Sequence, residues 1–215
     1  MNSSGVKSSG VKSPGVRRTA GWILLTVLVF GSILLANHLR PPVIRKADLN
    51  ALGYTTLQAV EPVDQVPALE THRGEVFDAA FFHDRWTLVF FGFTACPDVC
   101  PTTLAVLSQL TEQMNEMAPQ VLFVSVDPAR DSPDRLKHYV EGFHPTFIGV
   151  TGNPEQVAQL ARRFHVVHEQ REQTIAYSID HSTHISVVNP AGEFTGTFAV
   201  PHIPERMVRA LRMLM

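Results

Sequence analysis

The sequence predicts an α/β domain carried behind an apolar N-terminal segment. Three observations predict it. Short apolar runs (Trp86–Phe93, Val121–Val126, Thr146–Val150) alternate with stretches whose apolar residues recur at spacings of three and four, the alternation of buried strand and amphipathic helix. The only two cysteines, Cys96 and Cys100, fall where the first of those strands gives way to a helix. From Ala20 to Ala36 the chain carries no charge at all.

Composition narrows the function classes. A chain of 215 residues has room for one sizeable domain plus extras. A formal net charge of −2 gives no pull toward nucleic acid, so no nucleic-acid partner is expected. Two cysteines build no disulfide framework, and a pair only four positions apart gains little from loop closure. The pair is therefore read as chemistry rather than as a staple.

The N-terminus repeats SSGVK, SSGVK, SPGVR over residues 3–17; rich in Ser and Gly and without an apolar cluster, residues 1–18 are expected to be a disordered tail. Lys7, Lys12, Arg17 and Arg18 make the tail basic. The uncharged run that follows is within spanning length, and Trp22 stands where an interfacial aromatic belongs. Residues 19–37 are read as a transmembrane anchor, the basic tail staying cytoplasmic and the rest crossing. A cleaved signal peptide is the competing reading, but no clean A-x-A site precedes Asn37. Residues 38–60, with Pro41-Pro42 and scattered charge, read as a tether.

From 61 to 215 the pattern is a compact domain. Leu69–Phe77 predicts a hairpin turning near Arg73-Gly74. Trp86–Phe93 reads as a strand buried on both faces. Pro101 opens a helix whose Leu104, Leu107, Leu110, Met114 and Met117 share one face. Val121–Val126 is a second buried strand, Ser132-Pro133 starts a helix through Phe143, and Thr146–Val150 is a third strand. Asn153-Pro154 starts a helix to about Phe164. Ile185–Val188 and Phe194–Phe198 form a hairpin around Asn189-Pro190-Ala191-Gly192, and Pro204–Leu214 is a last helix. A β-α-β opening with two cysteines at its first strand-to-helix junction is the thioredoxin arrangement. The fold class is thus α/β, thioredoxin-like with an N-terminal hairpin, preceded by one transmembrane helix.

The spacing Cys96-Pro97-Asp98-Val99-Cys100 is one residue longer than the usual C-x-x-C. The extra residue lets both sulfurs converge on one soft ion, and a disulfide stays within reach. Cys100 is placed at the helix N-terminus, where backbone N–H groups favour a thiolate. Two buried, inert thiols are the bland alternative, against which Pro97, Asp98 and Pro101 argue for an exposed loop. Asp98 serves either to tune the loop's charge or simply to make its turn.

Two thiolates leave a metal site incomplete, so a third donor is sought among ten histidines. His38 lies in the tether; His72, His83, His138, His144 and His202 read as turn or helix-surface residues; His165 and His168 flank a strand start. The run Asp180-His181-Ser182-Thr183-His184 precedes a strand, in a loop that approaches the cysteine loop in a thioredoxin-like fold. His181 and His184 are an odd number of residues apart, so an extended chain presents only one of them, and spacing does not say which.

These residues resemble the Sco/SenC family of membrane-anchored copper proteins, over about Val66 to Phe198. Gly92-Phe93-Thr94-Ala95-Cys96-Pro97-Asp98-Val99-Cys100-Pro101 resembles its cysteine motif, and Asp127-Pro128-Ala129-Arg130-Asp131 its D-P-x-R-D segment. Asp180-His181-Ser182 resembles its D-H-[ST] segment, and Asn189-Pro190-Ala191-Gly192 its following turn. The resemblance implies a thioredoxin-like fold and copper, Cu(I) or Cu(II), held by Cys96, Cys100 and His181. It also implies a role in assembling the CuA centre of cytochrome c oxidase. The partners implied are the CuA-bearing oxidase subunit, a copper donor and the membrane, with the domain facing the periplasm from a bacterial inner membrane. Asp127, Arg130 and Asp131 read as a charged network beside the site, structural or partner-docking rather than catalytic.

Two function classes remain. The first is a copper metallochaperone, which is not an enzyme. The second is a thiol-disulfide oxidoreductase in which Cys96 and Cys100 are the catalytic pair, reducing cysteines of the oxidase subunit or of other exported proteins. A thiol peroxidase would want a P-x-x-x-T-x-x-C setting, which is absent. Met207, Met213 and Met215 suggest helix packing and fraying rather than a copper-binding thioether patch.

Overall fold

The computed structural model describes residues 22, 25–35, 45–172 and 177–215, with only the backbone described for 168–172 and 177–181. The chain divides into two units, Met1–Val43 and Ile44–Met215. In the first, residues 25–35 are helical and exposed. Among the described residues no helix is long and apolar enough to cross a membrane. The anchor expected over 19–37 and the tail over 1–18 extend across residues outside those described.

The second unit contains, in chain order, α1 (Lys46–Ala51), β1 (Tyr54–Pro62), β2 (Leu69–Thr71), β3 (Val76–Phe77) and a 3-10 turn (Ala79–Phe82). β4 (Thr87–Gly92), α2 (Val99–Met114), β5 (Gln120–Ser125), α3 (Pro133–Glu141), β6 (Ile148–Thr151) and α4 (Pro154–Arg163) follow. The chain closes with β7 (His168–Glu172), β8 (Tyr177–His181), β9 (Ile185–Val188), β10 (Glu193–Phe198) and α5 (Pro204–Leu214). Among the described residues these strands form an eight-stranded sheet ordered β1-β10-β9-β4-β5-β6-β2-β3 and a separate β7-β8 pair.

The apolar runs become the centre of the sheet. β4, β5 and β6 are parallel, and all six residues of β4 are buried, as a strand covered on both faces requires. β9 lies antiparallel on the other edge of β4 and continues into β10. The helix starts follow their caps: Ser132 Oγ accepts from Arg135 N–H at 3.3 Å, and Asn153 Oδ1 accepts from Glu155 N–H at 2.9 Å. In the β2–β3 turn Gly74 sits at φ 77°, a left-handed position that costs glycine nothing.

Two stretches differ from expectation. The tether expected over 38–60 is, from Lys46 onward, part of this unit: α1 leads into β1, which pairs with β10 at the edge of the sheet. Only Tyr54 of β1 is buried, so an exposed edge strand left no buried period to read. A strand start is expected beside His165 and His168, but its pairing as the β7–β8 ribbon is not; the register sets His168 opposite His181.

An aromatic cluster fills the interior. Phe164, just past α4, stands 5.7 Å from Phe82, 5.8 Å from Phe91 and 5.2 Å from Phe194. Burying such rings is worth about 1.5–3 kcal/mol each.

His72 is the other correction: its side chain is fully buried, not at a surface turn. It ties β2 to β6. Its N–H donates to Gly149 O and Gly149 N–H donates to Nδ1, both at 2.8 Å. With Nδ1 accepting, the proton sits on Nε2, 3.3 Å from Glu141 Oε1. Burial, with Arg73 beside it, holds the imidazolium form below the ordinary 6.5, and Glu141 offsets part of that. The unfolded chain therefore takes up this proton first. His72 contributes its full stability above pH 6.5 and loses it as the pH falls below. Thermal unfolding by circular dichroism should show the midpoint dropping from about pH 7 to about pH 5. His72→Gln, which keeps an acceptor for Gly149 and cannot take the proton, should flatten part of that drop.

Candidate metal centre

β4 delivers the chain to Gly92, and Phe93–Asp98 then turns it into α2, with Cys96 N–H donating to Phe93 O at 3.2 Å. Asp98 is the residue before the helix, accepting from Thr102 Oγ1 at 3.5 Å but capping no backbone N–H with its side chain. The helix begins at Val99, two residues earlier than Pro101 suggested. Pro101 is tolerated because the first-turn N–H groups have no helical partner to lose.

The two cysteines, both thiols, are unlike each other. Cys96 is half-buried at the loop surface; Cys100 is completely buried beneath it. Cys100 N–H, in the first turn of α2, points at Cys96 Sγ from 3.4 Å. The helix N-terminus therefore serves the sulfur of Cys96. This corrects the expectation of a favoured thiolate at Cys100. Burial drives the Cys100 thiol far above its ordinary range; the Phe93 amide works against this, while Cys96 and the Asp131 carboxylate add to it. Cys100 sits under the loop because β4 ends in glycine. A Cβ on Gly92 would come 2.7 Å from Phe123 Cε2 and 2.9 Å from Cys100 Sγ, closer than real contacts allow.

A buried carboxylate fastens the loop. Asp131, fully buried, accepts from Thr94 N–H at 2.9 Å, Thr94 Oγ1 at 2.6 Å and Ser125 Oγ at 2.7 Å. It thereby joins the end of β4, the end of β5 and the approach to α3. Arg135 Nε donates to Thr94 Oγ1 at 2.7 Å from the solvent side. Arg130 pairs with the buried Asp127 and lies over the Phe93 ring, 5.8 Å from its centroid. The Asp127–Arg130–Asp131 segment thus lies beside the cysteine loop. Thr94 and Ser125 were not singled out in the sequence, where isolated hydroxyls carry no pattern.

The histidines arrive from the other edge of β4. Phe90 pairs with Ile185 in antiparallel register, so residues 182–184 run beside the end of β4, and β8 leads into them through His181. His184 Nε2–H donates to Phe164 O at 3.1 Å, and burial pushes its pKa down. The His181 side chain lies outside the described residues. Among those described, no group of three or more His, Cys, Asp or Glu is placed to hold a metal. The structure therefore brings Cys96 and Cys100 together and brings the chain that carries His181 toward the same end of the sheet. His202, another histidine read as a surface residue, is half-buried with Nδ1 3.4 Å from Thr103 Oγ1. It lines a cleft of about 250 Å³ between the first turn of α2 and Val200-Pro201.

With this geometry in place, comparison with known proteins assigns the fold and the family. The SCO1/SenC family profile matches residues 58–215. The chain belongs to the SCO1/SenC family. A mitochondrial SCO2 homolog of Bos taurus is 38% identical over 152 residues, 67% of this chain and 57% of that protein. The chain therefore matches little more than half the length of that relative. Apo Sco1 of Thermus thermophilus superposes with a TM-score of 0.67 at 37% identity, covering 75% of this chain and 96% of that one. ScoI of Arabidopsis thaliana, whose structure has copper bound, superposes with a TM-score of 0.63 at 28% identity, covering 71% and 98%. The SCO1/SenC fold of these structures is the thioredoxin-like α/β arrangement expected from the sequence.

Two outcomes test the site's construction. Asp131→Ala leaves three donors without their acceptor, one of them on the buried Ser125, and should cost about 3–5 kcal/mol in urea unfolding; a cost near zero would show that the carboxylate does not hold the loop. Brief alkylation of the reduced protein, read by peptide mass spectrometry, should label Cys96 at least about tenfold faster than Cys100. Equal rates would contradict the inequality of the two sulfurs.

Proposed function

We propose that this chain is a membrane-anchored copper chaperone that assists assembly of the CuA centre of cytochrome c oxidase, holding copper through Cys96, Cys100 and His181. The observation that carries the reading is the sulfur pair at the end of β4, one thiol at the surface and one beneath it, at the end of the sheet to which β8 and residues 182–184 lead. Two thiolates and an imidazole make a soft donor set suited to Cu(I), and with a further weak ligand the set accepts Cu(II). Binding displaces the proton that burial keeps on Cys100. Cys96, more exposed, is where an incoming ligand from a donor or from the oxidase subunit reaches the metal first. The copper-bound ScoI of Arabidopsis thaliana supports the choice of metal. The uncharged run Ala20–Ala36 behind a basic tail supports an anchor over 19–37, with the domain on the periplasmic face of a bacterial inner membrane.

One observation favours a second reading, thiol-disulfide exchange with the oxidase subunit. An accessible thiol with a helix amide on its sulfur suits attack on a partner disulfide, and a buried neighbour suits resolution. Cys96 would form a mixed disulfide and Cys100 would displace the partner's thiolate. The chain would be left as a Cys96–Cys100 disulfide and the partner reduced by two electrons.

His181 separates the two readings, because exchange does not need it. The purified, reduced chain should bind about one copper, as a single two-sulfur, one-imidazole site implies. His181→Ala should weaken Cu(II) binding by at least about tenfold and change its thiolate-to-copper absorption, while thiol reactivity stays at the parent rate. Parent-like Cu(II) binding by the variant would remove His181 from the ligand set.

A further inference from the structure

The cleft beside the cysteine loop is used by neither reading. One wall is Asp98, Val99 and Val106, at the start of α2; the other is Val200, Pro201 and His202, just past β10. The sheet brings the two walls to one end. Phe90 of β4 and Phe198 of β10 both pair with Ile185, so the chain leaves β10 at the level where β4 turns into the cysteine loop. Thr103 Oγ1 and His202 Nδ1 stand 3.4 Å apart and tie one wall to the other.

Size, lining and place decide what such a cleft takes. Its volume of about 250 Å³ falls below the roughly 300–1,000 Å³ of sites that enclose a small molecule, and it suits a single side chain. Val99 and Val200 face each other's wall at 37% and 55% exposure, a small apolar patch rather than scattered residues. Asp98, exposed at the rim, is the charged member. Burying one large aliphatic side chain is worth roughly tenfold to a hundredfold in binding. Pairing a cation with an exposed carboxylate is worth at most about fivefold. The apolar walls therefore choose the occupant, and Asp98 only turns acids away. Place settles the rest. Asp98 is two residues from Cys96, at most about 7–8 Å along the chain, a span that an extended strand covers in two or three residues.

We propose that this cleft is the docking pocket for the polypeptide that meets Cys96. An extended segment of the partner seats one large aliphatic side chain there, two or three residues from the group that reaches the sulfur. This rests on Cys96 being the point of contact with a partner, which both readings share, whether copper or electrons are passed. The pocket selects partners by sequence, a task that the two sulfurs do not perform themselves.

The test uses the reduced full chain in detergent and short synthetic peptides with one cysteine, capped as its disulfide with thionitrobenzoate. Leucine or alanine occupies the positions two and three residues from that cysteine. Cys96 thiolate attacks the peptide sulfur; the new S–S bond forms, the old one breaks, and thionitrobenzoate leaves as a coloured thiolate carrying the electron pair. Each rate is divided by that of the same protein with the thionitrobenzoate disulfide of cysteamine, which has no side chain for the cleft. The leucine peptide should react at least about tenfold faster than the alanine peptide. Val200→Trp, made at an exposed position, fills the mouth of the cleft and should erase that difference. Equal rates for the two peptides in the parent would overturn the proposal, as would a leucine preference that survives in Val200→Trp. A second measurement needs no reaction. With serine in place of the peptide cysteine, the leucine peptide should shift the methyl resonances of Val99, Val106 and Val200, and the alanine peptide should not. If the cysteamine disulfide itself fails to react, Cys96 is not the point of exchange, and the methyl shifts decide the cleft alone: movement supports it, stillness overturns it. Neither readout needs copper, so a failure of the copper reading shows separately.

Discussion

A single buried carboxylate holds the cysteine loop to the sheet. Asp131 lies beyond β5 in sequence, yet it collects the first residue after Phe93 and the last residue of β5 into one set of hydrogen bonds. The parallel register of β4 and β5 makes this possible by ending both strands at the same level, Gly92 beside Ser125. Everything specific to the site is then built outward from a fixed point: the turn to Cys96, the start of α2 and the burial of Cys100. A charge sealed in the interior is tolerable only when fully hydrogen-bonded, which is why loop and carboxylate stand or fall together.

The sequence makes this fold legible where burial is two-sided or where a cap has a chemical signature. β4 and β5 appear as apolar runs, and α3 and α4 announce themselves through Ser132-Pro133 and Asn153-Pro154. β1 is hidden because eight of its nine positions are partly or fully exposed, leaving no period. The pairing of β7 with β8 is hidden for a related reason, since His168–Glu172 is polar throughout and shows no buried face. His72 misleads for another: a lone histidine in a turn carries no mark of the backbone amide that will claim its Nδ1.

The site divides in the same way. The cysteines stand out because their spacing and their place at a strand-to-helix junction are local facts. The choice between His181 and His184 is not local; spacing says only that one of them is presented, and family resemblance had to choose. His184 Nε2–H donates to the Phe164 carbonyl. The unequal chemistry of the two thiols is also invisible in the sequence. Position along the helix suggests that Cys100 is the activated sulfur, whereas depth below the surface decides the matter and reverses it. Depth comes from the packing of Phe123 and Gly92, thirty-one residues apart in the chain and adjacent in the sheet layer.

That packing has a consequence for transplanting the chemistry. Because a side chain at position 92 would collide with both the Phe123 ring and the Cys100 sulfur, the functional unit is larger than the five-residue cysteine string. It comprises a strand that ends in glycine, an aromatic residue on the parallel neighbour, and a carboxylate that pins the turn. An engineer who grafted Cys96–Cys100 alone onto another α/β scaffold would obtain two surface thiols of similar character. Carrying over Gly92, Phe123 and Asp131 as well is what would sink one sulfur and leave the other outside.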